Sequence, residues 1–243
     1  DDVMRRAIAG IVAMGLLAMP AAAQRAEARG PAVTRGDAQV LALAFGAALG
    51  VSTLDQRISD AMRTSSLHDN AAARSVMDGA RVVGDPGSLI ASVGLWAVGR
   101  ARGDRTQELV GLRALESVVA SGIVTGGIKG LVGRARPNVS PGNAHSIALL
   151  SGLRDGSDYQ SFPSGHTTAA FAFASAVDAE WGRLSPGRPR WVAPALYGVA
   201  ALTGISRVFH DRHWASDVVM GGAIGYVTGR AITRWHADAP QAP

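Results

Sequence analysis

LVGLRALESVVASGIVTGGIKGLVGRARP, residues 109–137, carries a long apolar run into the pair Arg136-Pro137. The apolar positions up to Leu131 do not alternate, and the run outlasts an ordinary strand, so it predicts a helix. Five other segments, 40–54, 88–98, 166–181, 191–205 and 214–235, share its richness in Ala, Leu, Val and Gly. The expected fold class is therefore all-α, a helical bundle. Asp85-Pro86-Gly87-Ser88 reads as a turn and helix start, and Ser185-Pro186-Gly187-Arg188-Pro189 as a break between two helices. From Pro137 to Ser161 the chain is a long irregular connection, and connections of that length inside compact domains are usually functional.

Composition narrows the setting. A chain of 243 residues has room for one sizeable core, and one main domain is expected over 39–236. A small, polar linker, 24–38, precedes it and a short tail, 237–243, follows. Met4-Arg5-Arg6, the apolar stretch 7–19 and Ala21-Ala22-Ala23 before Gln24 have the pattern of an export signal over 1–23. The lack of cysteine excludes disulfides and thiolate metal sites. A net charge of +5 suits an anionic substrate or lipid surface. Nucleic acid is not an expected partner, because the arginines are scattered and no reading module is present.

No segment offers about 20 consecutive uncharged, strongly apolar residues, and Arg113 and Glu116 interrupt the run just quoted. The arginine-rich connections 100–105 and 183–190 alternate with the connections that bear the motifs below. That alternation would fit a positive-inside arrangement with the motifs outside. A cleaved signal followed by six spans would reverse it, so the two do not hold together. The expectation is a periplasmic helical domain of a bacterial envelope, soluble or membrane-associated, behind a cleaved signal.

Lys129 is the only lysine; every other basic residue is an arginine. A compact, strongly hydrated ammonium among guanidinium forks suits a phosphate ligand, which draws on both. Lys129 and Arg136 are seven apart, about two helical turns. Arg134, between them, reads as a basic helix end with no catalytic role. Ser164-Gly165-His166 stands at a helix start, where backbone N–H groups form an anion site and Gly165 lets the main chain approach the oxygens. Ser164 adds a hydroxyl, and His166 is positioned to protonate a leaving oxygen. His213 and Asp217, four apart, share a helix face, so the carboxylate is expected to accept from one ring nitrogen and leave the other as a nucleophile. His210 with His213 and Asp217 could be drawn as a metal site, but the further His and Asp ligands are missing, so no metal is assigned. His145 lies in the long connection with no fixed role, and His68 and His236 read as surface residues.

Lys-x6-Arg-Pro at 129–137, Pro-Ser-Gly-His at 163–166 and Ser-Arg-x5-His-x3-Asp at 206–217 together resemble the type 2 phosphatidic acid phosphatase superfamily. That superfamily includes bacterial non-specific acid phosphatases and vanadium haloperoxidases. The three parts match without a substitution, in the family's order. The resemblance implies a helical bundle with the active site at one end. It also implies phosphate binding by Lys129, Arg136 and Arg207, a phosphohistidine formed on His213, and Asp217 holding that ring. The substrate would be a phosphorylated lipid or a small phosphomonoester, with no cofactor and with vanadate as an inhibitor. Two alternatives stand beside it: a haloperoxidase with vanadate as cofactor, and a non-enzymatic phosphate- or lipid-binding envelope protein.

Overall fold

The computed structural model describes residues 32–237. The main body is Val33–Thr233. The expected export signal lies outside the described residues. The helices are α1 (Arg35–Ser52), α2 (Asp55–Arg63), α3 (Ala71–Val82), α4 (Ser88–Arg102), α5 (Arg105–Val132), the single turn α6 (Ser151–Arg154), α7 (Gly165–Leu184), α8 (Val192–Phe209) and α9 (Ala215–Ala237). Among the described residues there is no strand, only an isolated antiparallel bridge between Arg134 and Ile147.

Local chemistry sets the helix ends. Thr34 and Asp37 form a reciprocal capping box that starts α1 inside the expected linker. Asn70 caps α3 through Ala73 N–H, and Asp104 caps α5 through Gln107 N–H. Gly133, with φ 61, ends α5; a Cβ there would lie 1.9 Å from the Ala148 carbonyl oxygen, so the position demands glycine twice over.

The core is built from small residues, which lets helix axes approach closely. α5 lies along α4 and α7, and α7 along α8. Ala114, Ala172, Ala174 and Ala176 are buried between them. α9 rests on α7 almost backbone to backbone through Gly221, Gly225 and Gly229, one glycine per turn. A Cβ at Gly225 would sit 2.2 Å from the Thr168 carbonyl oxygen, and Ser175 Oγ donates to the Tyr226 carbonyl at 2.9 Å.

Among the described residues three helical stretches are long and apolar enough to cross a membrane: Ala71–Arg102, Arg105–Val132 and Val192–Phe209. α1 and α2 pass together as a pair bent by 63°. The sequence reading ended its apolar runs at charges and at Asp85-Pro86. In the fold Arg113 Nη1 meets the Glu116 carboxylate at 3.0 Å one turn away, and α3 is joined to α4 across a kink at Asp85, whose backbone is extended. Outward side chains such as Leu43, Ile90 and Ile123 are exposed and apolar.

Gly225→Val should lower the thermal midpoint of the detergent-solubilised protein, by an overpacking cost of about 1–3 kcal/mol. Gly46→Ala, where nothing lies within 4 Å of the added methyl, should leave it unchanged or raise it.

Candidate active site

Four helix ends meet at one end of the main body. Lys129 lies in the last turn of α5, His166 in the first turn of α7, Arg207 in the last turn of α8, and His213 in the turn before α9. Lys129, Arg136, Gly165, His166 and His213 line one cavity of about 410 Å³. Its other walls are Gly84, Asp85, Leu89, Val118, Val119, Gly122, Thr125, Gly126 and Ala169. Ser164, Arg207 and Asp217 do not line it; they are buried behind it.

The tautomer of His213 follows from its partner. Nδ1 lies 2.7 Å from the Ser161 carbonyl oxygen, which only accepts, so Nδ1 carries the proton and Nε2 keeps its lone pair. The expected hydrogen bond to Asp217 is not made: Oδ2 is 3.6 Å from Nδ1. The reason is local, since His213 precedes α9 and is not on its face. Asp217 instead accepts from Ser161 Oγ at 2.6 Å and from Trp214 N–H at 2.9 Å, and it meets Arg134 Nη1 at 2.6 Å. It thereby holds Ser161, whose carbonyl meets the His213 ring, and Trp214, the residue after His213.

Arg134, expected to be a bland helix end, is 5 % exposed. Its Nη1 also donates to Ser216 Oγ at 2.8 Å, Nη2 to Asp55 Oδ2 at 2.8 Å and to the Ala144 carbonyl at 2.6 Å, and Nε to the same carbonyl at 3.2 Å. Asp55, fully buried at the start of α2, in turn accepts from Ser216 N–H and Oγ. Neither residue was found from the sequence. The nearest signal is the doubled arginine of Arg134-Ala135-Arg136.

The cations are arranged for an anion. Lys129 Nζ donates to the Gln160 carbonyl and faces the Ser161 carbonyl at 3.4 Å. Arg136 Nε donates to the Ser157 carbonyl at 2.7 Å. Buried Arg207 has two donors, Nε and Nη1, with no hydrogen-bond partner among the described residues. Leaving such donors unpaired is costly, so the arrangement fits a bound oxyanion. Ser164 and Thr167 hydroxyls pair at 2.8 Å, which uses one hydrogen and leaves one to donate.

Burial and the surrounding positive charges lower the His166 pKa from 6.5 to about 3. Burial likewise takes His213 to about 3, against the pull of Asp217. Burial alone would raise the Asp217 carboxyl, but the His213 ring, Arg134 and Ser161 hold it below the usual carboxylate range. Both rings are therefore neutral near pH 7, as a nucleophile must be.

His210 does not join a metal site. Its Nδ1 lies 2.6 Å from the Ser206 carbonyl and Nε2 2.9 Å from Asp78. Among the described residues no group of three or more His, Cys, Asp or Glu side chains is placed to hold a metal ion. His145 is exposed in the long connection, away from the cavity lining. His68 is no plain surface residue: it stacks on Phe209 with ring centroids 4.0 Å apart.

A helical bundle whose helix ends gather two histidines and two cations around one cavity, with Arg207 buried behind them, defines a class of site suited to an anion. Residues 110–241 match the PAP2 superfamily, and the chain belongs to it. It is 46 % identical over 84 residues to a lipid A 1-phosphatase of Porphyromonas gingivalis, covering 35 % of this chain and 18 % of that protein. It is 34 % identical over 117 residues to a lipid A 1-phosphatase of Rhizobium johnstonii, covering 48 % and 43 %. A third relative, lipid phosphate phosphatase 2 of Arabidopsis thaliana, is 35 % identical over 135 residues, covering 47 % and 46 %. The chain thus spans less than half the length of these relatives. The fold is similar to the crystal structure of a transmembrane PAP2 type phosphatidylglycerolphosphate phosphatase from Bacillus subtilis, with a TM-score of 0.55 and 21 % identity over 81 % of this chain and 92 % of that one.

Arg134→Lys retains the charge but not the fork, and it should destabilise the protein by about 3–5 kcal/mol through the carboxylates left under-paired. Chemical unfolding of the purified variant measures this. A second expectation concerns pH. Unfolded histidines titrate near 6.5 and these two near 3, so below about pH 6.5 the unfolded chain binds more protons. Stability should fall as pH is lowered from 7 to 4, by roughly 1.4 kcal/mol per unit for each ring. Thermal melts of the wild type against His166→Gln, which should flatten the slope, test it.

Proposed function

We propose that the protein is a phosphatase that releases phosphate from phosphorylated lipids through a phosphohistidine on His213, without a metal. One observation carries this reading. The cavity is cationic at the end formed by Lys129 and Arg136 and apolar along Leu89, Val118, Val119 and Ala169, so it matches an amphiphile with a phosphate head. The names of the relatives, lipid A 1-phosphatase and lipid phosphate phosphatase, point the same way.

The chemistry follows from the geometry. Lys129, Arg136 and Arg207, with the first N–H groups of α7, hold the equatorial phosphoryl oxygens and stabilise the charge that moves during transfer. His213 Nε2 attacks phosphorus as the ester oxygen leaves. Burial and the surrounding cations keep His166 neutral; a seated phosphoryl dianion opposes the cations, so His166 takes up a proton from solvent and passes it to the leaving alkoxide. The phosphorylated ring is cationic, with its Nδ1–H still on Ser161 and the Asp217 charge close by. Water then attacks the phosphohistidine, with His166 accepting its proton, and phosphate departs.

The arginine-rich turns at 100–105 and 183–190 lie at the ends of α4, α5, α7 and α8 remote from the cavity. With the three membrane-length stretches, this supports a membrane-associated protein whose site opens on the periplasmic side.

Assays with EDTA present should show phosphate release from phosphatidic acid, with inhibition by vanadate. Rapid quenching should trap a label stable to alkali and lost in acid. His213→Ala should abolish both turnover and label. His166→Ala should cost about 10²–10⁴-fold on alkyl phosphates and far less on p-nitrophenyl phosphate, whose leaving group needs no proton. Near-normal turnover of His213→Ala overturns the mechanism; halide oxidation in vanadate and peroxide would identify a haloperoxidase instead.

A further inference from the structure

The connection between α5 and α7 is held firmly at its base but bears large apolar side chains outward. Ala135 N–H donates to the Ser146 carbonyl at 3.0 Å, Ala148 N–H to the Gly133 carbonyl at 3.0 Å, and Leu150 N–H to the Leu131 carbonyl at 2.9 Å. α6 presses on the last turn of α5: a Cβ at Gly152 would lie 2.1 Å from the Lys129 carbonyl oxygen, and one at Gly130 would lie 2.6 Å from Leu153 Cδ2. Leu150 has φ 67, a conformation that suits glycine, yet the residue is a leucine. From this rigid base Leu149 is 75 % exposed, Leu153 69 % and Ile147 55 %, and Arg154 is exposed beside them. Clustered exposed leucines mark a surface that something covers.

We propose that residues 147–154 form a wedge that enters the interfacial layer of a phospholipid bilayer, fixing the cavity at headgroup depth. Two observations select lipid as the occupant. The wedge is continuous with Leu131 and, one heptad earlier, Val124, exposed on a helix that is long and apolar enough to cross a membrane. Arg154 closes the apolar cluster with a cation, the arrangement that suits anionic headgroups above acyl chains. Lys129 lies two residues from Leu131, so a wedge at the interface keeps the phosphate site level with the phosphates of the bilayer. Only the activity arm of the test below rests on the lipid phosphatase reading.

Because the chain has no cysteine, a single introduced thiol reports alone. Leu149→Cys, Leu153→Cys and the control Gly142→Cys, a loop position with nothing nearby, are labelled with an environment-sensitive nitrobenzoxadiazole dye. They are then reconstituted in vesicles of phosphatidylcholine and phosphatidylglycerol. The dyes at 149 and 153 should emit to the blue of the control and be quenched by lipids carrying a nitroxide near the headgroup. Quenching by aqueous iodide equal to that at 142 overturns the proposal. So does protection from both quenchers, which would mean that protein, such as a second copy of the chain, covers the wedge. In the activity arm, Leu149→Asp should lose roughly tenfold in kcat/KM on phosphatidic acid in vesicles, about the value of one buried leucine, and keep its rate on soluble p-nitrophenyl phosphate. Unchanged rates on both substrates overturn the wedge, whereas a wild type inactive on phosphatidic acid overturns the proposed function and leaves the labelling result to decide.

Discussion

A single guanidinium holds the catalytic end together. Arg134 directs its three nitrogens at Asp55, 79 positions before it, at Asp217, 83 positions after it, and at Ser216 and Ala144. Two buried carboxylates are expensive unless paired and fully hydrogen-bonded, and one cation does not neutralise both. The remainder is met by Ser216 N–H and Oγ on Asp55 and by Ser161 Oγ and Trp214 N–H on Asp217. Trp214, almost wholly buried, lies with its ring 5.5 Å from the guanidinium and donates Nε1–H to the Ala135 carbonyl at 2.9 Å. The start of α2, the exit from α5 and the start of α9 are thereby fixed to one another, and the catalytic residues inherit that alignment.

This arrangement changes the part Asp217 plays. By gripping Ser161 and Trp214 it holds the residue that follows His213 and the residue whose carbonyl fixes the ring's tautomer. The same carbonyl faces Lys129 Nζ, so nucleophile and cation are referred to one atom. At 3.6 Å the Asp217 charge does little for a neutral imidazole. On the phosphohistidine reading the ring becomes cationic as the bond to phosphorus forms, and only then does a nearby fixed anion gain value. An interaction that strengthens on the way to the transition state is the kind that accelerates a reaction.

Much of this was legible in the sequence, for physical reasons that also explain the gaps. Long Ala- and Leu-rich runs without alternation read as helices, and of the eight residues singled out in the three motifs the fold places five in the lining of one cavity and three buried behind it. Helices α2 and α3 escaped notice because they are short and charged residues interrupt their apolar positions. Arg134 and Asp55 escaped because local spacing carries no information about a pair 79 positions apart. The His213–Asp217 hydrogen bond was expected from helical periodicity, which does not apply to a residue in the turn before the helix. The membrane-length helices were divided at Arg113, Glu116 and Asp85, where the fold pairs the first two and turns the chain at the third.

The cavity itself was invisible to any argument from polarity. α5 is apolar nearly all round, so its two faces do not separate into oily and wet. They differ in size. Beyond Val118 and Val119 it presents only Gly122, Thr125 and Gly126 to the cavity, leading to Lys129, while Ile123, Val124 and Leu131 point outward. Small side chains on one stripe leave room for a hydrocarbon chain, and large ones on the next present a surface suited to lipid. On the proposed function, one helix forms the wall between substrate and bilayer and carries, at its end, the cation that would meet the phosphate.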